Sequence, residues 1–164
     1  MCQNEFDKID DLRLTIASVL QYKLAHILTI TESWGTEKIA DDFLEIEGFT
    51  MIRHDRRAES GKKKGGGLII YVRKDWGTNI SVKHSVCNTD LEAISLSIRP
   101  FYLPREFNDI CITATIYCPP SGKAERASEQ IEEMVNCLEK LKPNAAHIVL
   151  GDFNHVIMEQ TLCI

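Results

Sequence analysis

Four apolar segments of strand type lie between residues 67 and 117 with no helical period between them, and this run constrains the fold more than any other feature. Segment 67–73 is nearly continuous in apolar residues, Leu68-Ile69-Ile70-Tyr71-Val72. Segments 80–83, 91–98 and 109–117 alternate. They do so through Ile80 and Val82, through Leu91, Ala93 or Ile94, Leu96 and Ile98, and through Ile110, Ile112, Ala114 and Ile116. A period of two marks a strand with one buried face. A parallel, doubly wound sheet needs a crossover helix between most of its strands. Residues 67–117 supply none, so that class is excluded. The last three segments predict hairpin-connected, antiparallel neighbours.

The flanks add helices and further strands. Phe6, Ile9, Leu12, Ile16, Val19 and Leu20 fall on one helical face, and Asn4 with Asp7 resembles an N-cap with an acidic third residue. Residues 25–31 form a β-rich run ending at Glu32, 37–44 predict a short helix stopped near Gly48, and 49–54 predict a strand. The polar, glycine-rich stretch 55–66 reads as a loop. Ile131, Met134, Val135, Leu138 and Leu141 give a second amphipathic helix over 124–141, which Pro143 stops before a buried strand over 145–150. The predicted class is α/β with mixed sheets. A chain of 164 residues closes one sizeable core, not two.

Charge is unevenly placed. Residues 1–52 carry four basic and ten acidic side chains, residues 53–74 eight and two, and residues 75–164 seven and twelve. A net +6 segment therefore sits inside a chain of net charge −5. Such a patch attracts a phosphate-bearing partner, although a solvated surface loop also fits it. The overall acidity excludes a generally polybasic nucleic-acid coat. No apolar run approaches the roughly eighteen residues of a membrane span, and Met1-Cys2-Gln3-Asn4-Glu5 does not resemble a secretory signal. The cysteines at 2, 87, 111, 118, 137 and 163 show no Cys-x-x-Cys pair and no zinc-finger spacing. They predict a reducing compartment and mostly buried thiols.

Two carboxylates directly follow buried strands. Glu32 ends Ile27-Leu28-Thr29-Ile30-Thr31, and Asp152 ends Ile148-Val149-Leu150-Gly151. Strand ends of helix-flanked sheets form ligand crevices, and oxygen donors there suit a hard cation such as Mg²⁺. Asn154 can direct its amide into the same crevice. Either acid taken alone also fits an N-cap. Lys62-Lys63-Lys64-Gly65-Gly66-Gly67 lets backbone N–H groups and lysines approach a phosphate. It lacks the P-loop order and a following helix, and a flexible turn with a basic tip is its other reading. Tyr117, ahead of Cys118-Pro119-Pro120, can offer its hydroxyl to a phosphate oxygen or serve as a core tyrosine.

Six segments together resemble the endonuclease/exonuclease/phosphatase superfamily, and within it the apurinic-type endonuclease domain of non-LTR (LINE-type) retrotransposons. They are Thr29-Ile30-Thr31-Glu32-Ser33-Trp34, Gly48-Phe49-Thr50-Met51-Ile52-Arg53-His54-Asp55-Arg56, Lys64-Gly65-Gly66-Gly67-Leu68-Ile69-Ile70-Tyr71-Val72, Leu91-Glu92-Ala93-Ile94, Ile116-Tyr117-Cys118-Pro119-Pro120 and Leu150-Gly151-Asp152-Phe153-Asn154. The resemblance implies a four-layer α/β sandwich of two mixed, largely antiparallel sheets flanked by helices, here incomplete. It implies Mg²⁺-dependent phosphodiester hydrolysis that nicks DNA, with Mn²⁺ as a substitute. Glu32 would be the metal ligand. Asp152 and Asn154 would orient the attacking water and the scissile phosphate, Tyr117 would contact that phosphate, and Glu92 would support Tyr117. Arg53, Arg56, Arg57, Lys62, Lys63 and Lys64 would grip the DNA backbone. An intracellular, nuclear location and a reverse transcriptase domain in the parent polypeptide are further implications, with no membrane partner.

The chain departs from the family at both ends. Residues 1–155 are expected to be a partial domain and 156–164 a tail outside the family pattern. The family's leading strand with its asparagine, and its closing Asp-His pair, have no counterpart. Very weak or no nicking is therefore the expectation for this chain. Two other readings stand beside the nuclease: a phosphatase of the same superfamily acting on phosphoinositides or another small phosphoester, and a DNA-binding remnant without chemistry. Trp34, Asp55-Arg56 and Pro119-Pro120 favour the retrotransposon branch.

Overall fold

The near-continuous apolar run Leu68-Ile69-Ile70-Tyr71-Val72 is a strand covered on both faces, and it sets the layering of the molecule. A computed structural model describes residues 3–57, 65–119 and 122–154. Its elements are α1 (Gln3–Ser18), α2 (Leu20–Lys23), β1 (Ile27–Thr31), β2 (Phe49–His54), β3 (Leu68–Arg73), β4 (Gly77–Cys87), β5 (Glu92–Pro100), β6 (Asp109–Tyr117), α3 (Ala124–Leu141) and β7 (Ala145–Asp152). One sheet has the order β1-β3-β2 and the other β4-β5-β6-β7. All pairings are antiparallel except β6 with β7, which α3 connects as a parallel crossover.

Three apolar clusters stack through these layers. Leu68, Ile70 and Val72 of β3 meet Ile94, Leu96 and Ile98 of β5 between the sheets. Ile69 and Tyr71, on the other face of β3, pack with Phe49, Leu44 and Ile9, and with Leu12 and Ile16 of α1. Leu91 and Ala93 pack against Ala127, Ile131, Met134 and Val135 of α3. The order helix, sheet, sheet, helix is thus an α/β sandwich of four layers, as expected from the sequence. It explains why β5 is buried almost throughout, including Ser95 and Ser97, where alternation alone predicts one wet face.

Three local expectations are corrected. Residues 37–44 form no α-helix, only a 3₁₀ turn at Asp41–Phe43. The carbonyls of Thr36 and Ile39 accept bonds from the Arg53 guanidinium, and the Thr36 carbonyl also accepts the Ile39 N–H in a single turn that does not continue as a helix. The first helix breaks after Ser18 at an extended Val19, and Val19 and Leu20 of the predicted stripe are exposed. Finally, the strand expected over 80–83 extends across Gly77–Cys87.

No helix among the described residues is long and apolar enough to cross a membrane. Of the described thiols, Cys118 is buried, Cys87 half-buried and Cys137 exposed, so burial is less general than predicted. The tail at 156–164 lies outside the described residues.

Candidate active site

Strand register alone brings the predicted residues to one end of the sandwich. Thr31, just before Glu32, pairs with Leu68, just after Gly67. In the other sheet Glu92 pairs with Tyr117, and Tyr117 pairs with Asp152. The two rows are joined where the Gly67 N–H donates to Glu92 Oε2 at 2.8 Å. Glu32, Glu92, Tyr117, Asp152 and Asn154, remote in sequence, therefore share one rim, and β1 lies over β6 and β7.

The glycine turn is the clasp of this rim. Gly65, Gly66 and Gly67 all have positive φ, at 77°, 75° and 83°. An L side chain resists that conformation. The Gly66 N–H donates to Glu32 Oε2 at 2.8 Å. In return the Ser33 N–H donates to the Gly67 carbonyl at 3.1 Å and the Trp34 N–H to the Gly66 carbonyl at 2.8 Å. Glu32 and Trp34 both adopt φ of 54°, uncommon for residues with a Cβ and held here by this exchange. From the sequence these glycine N–H groups are expected to face a phosphate. That is corrected: Gly66 and Gly67 point their donors at two carboxylates.

Glu92 is 1% exposed and ion-paired with Arg56, whose side chain is itself buried. The Arg56 guanidinium fills the space where a Gly66 side chain would begin. Arg53 is also turned inward. Its Nε donates to Asp55 at 2.6 Å and its Nη1 to Asp41 at 2.8 Å, beside its bonds to the Thr36 and Ile39 carbonyls. Of the predicted backbone-gripping arginines, only Arg57 is exposed. Lys62, Lys63 and Lys64 lie outside the described residues, as does the Tyr117 side chain.

Asp152 and Asn154 flank Phe153, which packs into the cluster of Leu91, Ala93 and α3. That anchor leaves the two polar neighbours exposed on either side. Asn154 Nδ2 donates to the Cys118 carbonyl at 2.8 Å, and the Cys118 N–H donates to the Asp152 carbonyl at 3.1 Å. The amide of Asn154 is thus oriented with its oxygen still able to accept or ligate. Burial, and secondarily the charge of Asp152, pushes the Cys118 thiol up to about 12, so it offers no thiolate.

His54 ends β2 at the same rim and was not singled out from the sequence. It is buried, and its Nε2 has no hydrogen-bond partner. Burial, then the charge of Arg57, lowers its pKa from 6.5. A cavity of about 670 Å³ opens beside it, lined also by Thr36, Lys38, Asp55 and Arg57.

Oxygen donors of this kind could hold a hard divalent cation. Glu32, Asp152 and Asn154 present oxygens, and a backbone N–H fixes the Glu32 carboxylate. No three His, Cys, Asp or Glu side chains gather into a cage among the described residues. Mg²⁺ commonly takes one or two carboxylates and completes its shell with water and substrate oxygens.

No family model and no curated relative matches the chain. Solved structures do. A mannosyl-6-phosphatase from Bacteroides thetaiotaomicron is 18% identical with a TM-score of 0.57, covering 93% of this chain and 60% of its own. An endonuclease/exonuclease/phosphatase family protein from the same organism is 17% identical with a TM-score of 0.56, covering 89% of this chain and 54% of its own. The D. rerio TDP2 complexed with single strand DNA product is 11% identical with a TM-score of 0.50, covering 92% and 56%. The chain therefore has the fold of these proteins and spans between 54% and 60% of their length.

Proposed function

We propose that this chain carries the phosphoester-hydrolysing rim of an endonuclease/exonuclease/phosphatase domain and acts on DNA. One observation carries the reading. Two carboxylates from different sheets, Glu32 and Glu92, are clasped by adjacent glycine N–H groups at the rim where Asp152 and Asn154 stand exposed. Glu32, with Asp152 and Asn154, would hold Mg²⁺ or Mn²⁺. When bound, such an ion polarises a phosphoryl oxygen and stabilises the leaving alkoxide. The chain's own residues do the rest. Asp152 accepts or positions the proton of the attacking water. Asn154, its amide oriented by the Cys118 carbonyl, aligns the phosphate. Tyr117 would offer its hydroxyl to a phosphate oxygen, and Glu92 supports the strand end that carries Tyr117.

The retrotransposon-type endonuclease is the finer form of this proposal. It is supported by the order of the six sequence segments and by the basic residues of stretch 53–74 that are not paired inside, Arg57 among them. A nuclear site of action and a reverse transcriptase partner domain belong to the same proposal. The second reading is a phosphatase for a small phosphoester, and the likeness to a mannosyl-6-phosphatase favours it. A DNA-binding remnant without chemistry is the third.

A supercoiled-plasmid nicking assay with Mg²⁺, run beside a phosphate-release screen, separates the three. The expected outcome is slow nicking that needs the cation and falls to background in Glu32→Ala and Asp152→Ala. Phosphate release from sugar phosphates or phosphoinositides, with intact plasmid, moves the substrate to small phosphoesters. Salt-sensitive DNA binding with neither reaction supports the remnant.

A further inference from the structure

The buried ion pair at the rim has a role that DNA contact does not explain. Arg56 lies in the most basic stretch of the sequence, yet its side chain is only 8% exposed and is paired with a Glu92 that is 1% exposed. The same Glu92 accepts the Gly67 N–H, and the next donor along, the Gly66 N–H, holds Glu32. The guanidinium also sits against Gly66 itself, in space that only a residue without a Cβ leaves open. Arg56, Glu92, the glycine turn and Glu32 thus form one chain of contacts, with a charge buried at one end and a cation-ligand candidate at the other.

We infer that Arg56 is a positioning residue: by pairing with Glu92 and seating against Gly66 it holds the glycine turn that orients the Glu32 carboxylate toward a divalent cation. The inference rests on the reading of Glu32 given above. It replaces a phosphate grip by a second role for the same side chain, set by burial. A guanidinium engaged with an interior carboxylate is removed from the surface where duplex DNA would lie. Partners that orient a metal ligand matter for affinity. Their loss typically weakens binding about 10- to 100-fold.

The test uses Mn²⁺ as the probe. Its binding to the full chain is titrated by the electron paramagnetic resonance of the free ion, alongside DNA binding without divalent ions over a salt series. Arg56→Met and Glu92→Gln are each expected to weaken Mn²⁺ binding about 10- to 100-fold, and Arg56→Met is expected to leave DNA affinity and its salt slope unchanged. The double variant is expected to bind Mn²⁺ no worse than Arg56→Met, because neither partner is left charged and alone. Arg56→Lys keeps the charge and is expected to restore part of the affinity. Circular dichroism confirms folding for each. If Arg56→Met does not fold, Glu92→Gln, which still accepts the Gly67 N–H, and Arg56→Lys decide the matter.

Unchanged Mn²⁺ affinity in Arg56→Met or, failing its folding, in Glu92→Gln overturns the role of Arg56. So does weaker DNA binding with a shallower salt slope and intact Mn²⁺ affinity. A wild-type chain that binds no Mn²⁺ overturns the cation reading of Glu32 itself, which separates the two failures.

Discussion

Gly67 and Glu92 join the two sheets at the rim that carries the candidate chemistry: the glycine N–H donates to the buried Glu92 Oε2 at 2.8 Å. β3 begins one residue after that glycine, and β5 begins at that glutamate. Both strands are interior to their sheets, so the bond locks the ends of two central strands together. The rim is therefore built on the most buried part of the molecule.

The glycine turn predicts a steep penalty for a single methyl group. Gly66→Ala would place a Cβ in the space of the Arg56 guanidinium, at a φ of 75° that alanine resists. A loss of about 1–3 kcal/mol is expected, measured by urea denaturation against wild type. An unchanged midpoint would show that the turn relaxes freely.

The interface between the sheets sets the global stability. Leu96 is fully buried among Leu68, Ile70 and Val72. Leu96→Ala is expected to cost about 2–5 kcal/mol, through lost transfer energy and the cavity left behind. Chemical denaturation with a constant m-value reads it directly. A cost below about 1 kcal/mol would mean that the two sheets are not packed in this register.

The Tyr71 hydroxyl donates to the Leu44 carbonyl at 2.6 Å within the outer cluster under α1. Burial holds its phenol up to about 12, so it stays protonated and a donor across the ordinary pH range. Tyr71→Phe keeps the ring and strands the carbonyl. A loss of about 1–3 kcal/mol is expected from equilibrium unfolding.

His54 makes stability depend on pH in one direction. Its pKa lies below 6.5 in the folded chain because burial, and then Arg57, disfavour the charged ring. Above the unfolded value both states are neutral at this site and no slope arises. As pH falls below it, the unfolded chain binds a proton that the folded chain refuses, so this contribution is lost progressively down to the folded pKa. Denaturation midpoints at about pH 7.5 and about pH 5.5 should therefore differ less in His54→Gln than in wild type. An equal difference in both would assign the acid sensitivity elsewhere.

Thiol reactivity should separate two cysteines that look alike in the sequence. Cys118 is buried with its thiol raised to about 12, whereas Cys137 is exposed. Iodoacetamide at mildly alkaline pH should label Cys137 in the native chain and Cys118 only after denaturation, read by peptide mass spectrometry.

Periodicity was enough to recover the strands and the long helix. The alternation in residues 109–117 and the stripe Ile131, Met134, Val135, Leu138 become β6 and α3 with their expected bounds. Local pattern failed where a distant side chain intervened. Residues 37–44 have a helical composition, but the Arg53 guanidinium bonds the Thr36 and Ile39 carbonyls and the backbone turn at Thr36 does not continue, and no local window contains Arg53. The same limit applies to the site. Glu32, Asp152 and Asn154 were legible because a carboxylate or amide beyond a buried strand stands out in one dimension. Neither the engagement of the glycine N–H groups with carboxylates nor the pairing of Arg56 with Glu92 was legible. Both depend on contacts across 25 to 36 residues of sequence.

Hydrophobic spacing along the chain determined which segments would be strands and helices and excluded a parallel, doubly wound sheet. That information is local, since a side chain's face follows from the period of its own backbone. Whether a charged residue meets solvent or another charge is a property of three dimensions. Arg53, Arg56 and Arg57 are nearly adjacent and chemically identical, yet the first two are held inside by carboxylates while the third faces water. Tertiary contacts made that division, across the two sheets for Arg56 and with segment 36–55 for Arg53, because burying a guanidinium is tolerable only where folding brings it a partner.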